Sequence, residues 1–150
     1  MDLSKREKEI AIELGIDVIG AVWYFGALLS GGMAGPKEMA AIVLSIIGFA
    51  IVASIIATVI VNKQHGDEPL DERDWGIDAR AFKVGYYVLT VSCCILAGQI
   101  FIDTLDLFAG RHLDIASDPF VLANIVLGMV IFSFIMKASV QLFLYRRASA

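Results

Sequence analysis

Between Met39 and Asn62 the chain carries no charged residue. A helix crosses a bilayer with about 20 apolar residues over roughly 30 Å of hydrocarbon, so this run is long enough to span one. Residues 10–30, 84–102 and 119–145 form three further apolar blocks of similar length. In hydrocarbon every backbone N–H and C=O must be satisfied within its own segment, or in a closed barrel of alternating strands. Continuous apolar runs fit the first solution, and they predict an all-α membrane protein with four transmembrane helices. The chain has 150 residues, of which 58% are hydrophobic, and its mean hydropathy is +0.75. Four spans leave little room for a soluble domain, so residues 1–150 are expected to form one integral-membrane domain in contact with the lipid bilayer.

Charge sets the expected orientation. Lys5, Arg6 and Lys8 precede the first block, Lys63, Arg73, Arg80 and Lys83 lie between the second and third, and Arg146 and Arg147 follow the fourth. The two opposite connections carry only Lys37 and Arg111. Basic residues concentrate on the cytoplasmic side, which predicts an N-in, C-in protein with a cytoplasmic connection over residues 63–83. The first block is read as a retained span, because Glu7, Glu9, Glu13 and Asp17 interrupt what would be the basic and apolar parts of a leader. A net charge of −4 without a basic stripe argues against nucleic acid as a partner. Cys93 and Cys94 are adjacent inside the third block, where they form no CxxC motif and are expected to be lipid-facing or packed free thiols.

Helix starts are marked along the chain. Ser4 and Glu7 have capping-box spacing, as do Asp71 and Asp74, while Pro36 and Asp118-Pro119 place proline in a first turn, where its missing N–H costs nothing. After Asp71, the residues Ile77, Ala81, Val84 and Val88 fall three or four apart, so an amphipathic lead is expected to run into the third span as one long helix. Ala50, Ser54 and Thr58, with Ala53 and Ala57 beside them, make a small-residue face suited to close helix packing. Laying residues 4–10 over 71–77 matches Arg6 with Arg73, Glu7 with Asp74 and Ile10 with Ile77. Two tandem two-helix repeats about an axis along the membrane normal would produce such matches, and so would a shared need for a capped start.

Asp71-Glu72-Arg73-Asp74, then Ile77, then Tyr86-Tyr87-Val88-Leu89 and a last span closing on Tyr145-Arg146-Arg147 resemble a family of small prokaryotic four-helix membrane proteins of unknown function with a D-E-R-D/E signature. The resemblance covers mainly the second half of the chain. It implies a multi-pass protein of the cytoplasmic (inner) membrane and says nothing of activity.

Ionisable groups inside a membrane are costly and ask for a partner or a purpose. Counting from the block edges at 1.5 Å per residue places Asp17 and Lys137 at similar depths, roughly 10 to 12 Å from the inner edge. They are expected to pair across the first and fourth helices. With Glu13 and Gln141 each one turn away, the same groups are the candidate pathway of a proton- or cation-coupled transporter. Gln99, Asp103 and Asp106, with His112 near by, form a candidate polar cluster at the outer end of the third helix, without metal-ligand spacing. Asp71, Glu72, Arg73, Asp74 and Arg80 form a candidate cytoplasmic surface for a partner. No nucleophile, base and oxyanion set can be assembled, and no metal or cofactor motif is present in the sequence. The expected function is therefore non-enzymatic: an accessory or regulatory membrane protein acting through protein contacts, as a homo-oligomer. The alternative is a small transporter or channel using Asp17 and Lys137.

Overall fold

The computed structural model describes residues 4–30, 36–65, 71–105 and 118–149. These form four α-helices: α1 (Lys5–Leu29), α2 (Pro36–His65), α3 (Glu72–Thr104) and α4 (Pro119–Ser149). Even α1, the shortest at 25 residues, runs about 38 Å at 1.5 Å per residue and outreaches the hydrocarbon core. All four are long and apolar enough to cross a membrane, which makes this an all-α multi-pass membrane protein.

The capping residues act as their chemistry dictates. At α1 the Ser4 hydroxyl accepts from the Glu7 N–H at 3.3 Å and the Glu7 carboxylate accepts from the Ser4 N–H at 2.9 Å. At α3 Asp71 accepts from the Asp74 N–H at 2.8 Å and Asp74 returns the contact at 3.3 Å. Asp118 accepts from the Phe120 N–H at 2.8 Å and opens α4. Each box satisfies two N–H groups that no helical carbonyl can reach. Ser4→Ala is accordingly expected to cost about 1 kcal/mol, read as faster amide exchange at Glu7. Unchanged exchange there would remove the cap from the account of α1.

Helix α3 is continuous from Glu72, so the charged lead and the apolar run are one element. The packing order, however, is not the chain order. Helix α1 packs against α2 and α4, and α4 packs against α3, while α2 and α3 share no comparable interface among the described residues. The result is an open row, α2–α1–α4–α3, with each neighbouring pair antiparallel. The starts of α1 and α3 therefore lie at the same end as the finishes of α2 and α4.

Each of the three interfaces closes on a glycine. A Cβ on Gly20 of α1 would stand 3.2 Å from Ile46 of α2; one on Gly128 of α4 would stand 3.2 Å from the Phe25 ring of α1; one on Gly85 of α3 would stand 3.2 Å from Lys137 Cβ and the Ser133 carbonyl of α4. The expected small-residue face of α2 is realised in part. Ala50, Ala53 and Ala57 are half-buried on the side that carries buried Met39 and Val61, whereas Ser54 and Thr58 are exposed.

Ile10 and Ile77, the two residues matched by overlaying the helix starts, are both buried in one cluster with Ala138 and Tyr145 of α4. Helices α1 and α3 thus present equivalent positions to the same partner. The α1–α4 interface has no comparable α2–α3 counterpart among the described residues, so the packing of these residues departs from the twofold symmetry that two tandem repeats would give.

Candidate functional site

The intramembrane polar groups converge on α4. At mid-depth the Lys137 ammonium lies 3.3 Å from Glu13 Oε1, with the Phe82 ring centroid 4.8 Å away. Glu13, and not Asp17, is therefore its ion-pair partner, which corrects the expected pair by one helical turn. The long lysine stem lets the ammonium reach toward the helix end that bears the headgroup-facing charges, where a carboxylate is less costly to keep ionised. Asp17 itself is half-buried and makes no hydrogen bond or ion pair with a described residue.

Nearer that end, α4 is tied to α3. The Gln141 amide donates to Asp78, and the Tyr145 hydroxyl donates to Asp74 Oδ1 at 2.7 Å. Gln141, Tyr145, Ile77 and Ala81 are all buried. Asp74 thus performs two tasks, closing the capping box of α3 with one oxygen and accepting from α4 with the other. At the opposite end the Tyr24 hydroxyl donates to Asn124, a buried tie between α1 and α4. A hydrogen bond of this kind in lipid contributes about 0.6 kcal/mol on average, because the separated helices also find partners. The neutral Tyr24–Asn124 tie therefore fixes register and rotation more than it supplies stability, whereas the two ties to carboxylates are the stronger ones.

The other predicted residues are distributed as follows. Gln99 donates to Asp103 at 3.0 Å within α3, and Asp103 Oδ2 is buried without a described partner. Asp106 and His112, the remaining members of the outer cluster, lie outside the described residues. Asp71, Glu72, Arg73 and Arg80 are exposed at the start of α3, while Asp74 is half-buried by its bond to Tyr145. Glu9 and Glu13 line a groove between α1 and α2 with Ser54 and Thr58 opposite. Cys93 and Cys94 are exposed free thiols on α3. Among the described residues no group of three or more His, Cys, Asp or Glu side chains could hold a metal ion.

Asp78 and Tyr24 were not singled out from the sequence. Asp78 reads there as one more member of an acidic run, and its signal lies in following Asp74 by four residues. Tyr24 reads as an aromatic in an apolar block.

No family model matches the chain, and no curated protein or solved structure matches it.

Proposed function

We propose that this chain is a non-enzymatic integral membrane protein that acts through protein contacts as an accessory or regulatory subunit, and that it does so as a homo-oligomer. The carrying observation is how its membrane-level polar groups are used. Lys137, Gln141, Tyr24 and Asn124 all hold the chain's own helices together. Asp71, Glu72, Arg73 and Arg80 at the start of α3, by contrast, stay exposed. Self-association is supported by the open row, which leaves α2 and α3 each with a single extensive helix interface among the described residues. Glycine and small residues are what helix association in lipid uses. The distribution of Lys and Arg supports a cytoplasmic-membrane protein with both termini inside, where the α3 start would face a partner. The D-E-R-D resemblance supports a prokaryotic setting.

One observation favours a second reading, a small proton- or cation-coupled transporter or channel. Asp17 is an intramembrane carboxylate without a described partner, one turn from Glu13 in the α1–α2 groove. Proteoliposomes carrying a pH dye separate the two. The interaction reading expects flux no greater than in empty vesicles and two or more copies per particle by single-molecule photobleaching. Flux that disappears in Asp17→Asn would establish the transporter reading instead.

A further inference from the structure

The first turns of α3 and the last turn of α4 leave between them an open groove of about 620 Å³. Arg73 and Arg80 of α3 and Arg147 of α4 line it, against a single carboxylate, Glu72. Apolar Ile77 and Leu144 form its base. All three arginines are exposed, and none forms an ion pair with a described residue. Arg6, near by on α1, is paired with Glu9 at 2.7 Å. The groove thus sets three guanidiniums against one lining carboxylate, above apolar carbon.

Its depth narrows the choice of ligand. Arg73 and Arg80 are two helical turns apart, about 10 Å along the axis. Arg80 stands just before the apolar run that opens at Val84. The two side chains thus bracket a headgroup layer that is about 5 to 8 Å thick on each face of a bilayer. Exposed Trp75, between them in sequence, suits the same layer. Guanidinium matches phosphate oxygens with its planar fork, and basic pockets between membrane helices hold anionic headgroups. A free phosphate would have no use for the apolar base. A zwitterionic lipid would bring its own cation toward three others.

We propose that this groove binds one anionic phospholipid, with its phosphate held by Arg73, Arg80 and Arg147 and its glycerol carbons against Ile77 and Leu144. The lipid bridges α3 and α4 on the flank of α3 beside the Asp74–Tyr145 tie. Arg73 and Arg80, counted above with the partner surface, then serve the membrane first. The inference holds whether the chain docks a partner or moves an ion.

Native mass spectrometry of the full chain, released from phosphatidylcholine nanodiscs doped with phosphatidylglycerol, tests it. Wild type is expected to retain one phosphatidylglycerol per chain in preference to phosphatidylcholine. Arg73→Gln, Arg80→Gln and Arg147→Gln are each expected to weaken retention about fivefold. Arg146→Gln, beside the groove but not lining it, is expected to leave retention unchanged, and excess inorganic phosphate is expected not to displace the lipid. Equal retention of both lipids, an equal loss in Arg146→Gln, or displacement by inorganic phosphate would each overturn the proposal. The arginines are exposed and carry no ion pair with a described residue, so the variants are expected to keep the fold; unchanged helical circular dichroism checks this.

Discussion

Gly85→Leu is expected to part α3 from α4. A Cβ at Gly85 already stands 3.2 Å from both Lys137 Cβ and the Ser133 carbonyl oxygen. The second of these is backbone and cannot turn aside, so three further carbons fit only if one helix moves. Overpacking of this kind costs about 1–3 kcal/mol, and a leucine against backbone belongs at the upper end. The consequence extends beyond the contact. Moving α3 outward also separates Tyr145 from Asp74 and Gln141 from Asp78, so the loss is cooperative along the interface. Gly98 lies on the same helix with nothing within 4 Å of its would-be Cβ, and Gly98→Leu is the matched control. Thermal unfolding in detergent, together with spin-label distances between α3 and α4, reads both variants. Equal melting of the two would mean that the α3–α4 crossing does not depend on Gly85.

How much of this was legible in the sequence follows from what each feature depends on. Four spans, both capping boxes and the long α3 depend on local residue pattern, and the chain states them directly. Ser4 needs only Glu7 three residues later, and Asp71 needs only Asp74. The order of packing depends on which faces meet: the stripe through Ile77 and Ala81 marks the inward face of α3, but nothing local says which helix that face meets. The open row with α4 between α1 and α3 was for that reason not foreseen. The interfacial glycines are three of several in the apolar blocks, and only the geometry separates Gly20, Gly85 and Gly128 from Gly98.

The ion pair is the instructive case. Depth counting brought Lys137 to the right helix and within one turn of the right acid. Counting places Cα atoms, however, and the ammonium sits at the end of a four-carbon stem. A charge drawn toward the headgroups chooses Glu13, and the carboxylate at the lysine's own level is left over. Asp17 is for this reason the informative residue for function. It is the intramembrane acid on α1 that makes no hydrogen bond or ion pair with a described residue.

Asp74→Ala is expected to be the most damaging single change at the start of α3, because two separate structures rest on one carboxylate. The first is the capping box, in which Asp74 accepts from the Asp71 N–H; Asp71 keeps its own bond to the residue-74 N–H, so losing this first-turn acid costs about 0.5 kcal/mol. The second is the bond from the buried Tyr145 hydroxyl, and a hydrogen bond to a charged group is worth about 1.5–3 kcal/mol. Together they set an expected loss of about 2.5 kcal/mol. Tyr145→Phe removes only the second, leaves the half-buried carboxylate within reach of solvent, and is expected to cost about half as much. If one bond carries the coupling, Asp74→Ala combined with Tyr145→Phe should be little worse than Asp74→Ala alone. A double-mutant cycle by unfolding in mixed detergent measures this directly. Additive losses would mean that Asp74 and Tyr145 stabilise α3 and α4 independently, and that the two helices are held by apolar packing around Ile77 and Ala138 without a polar latch.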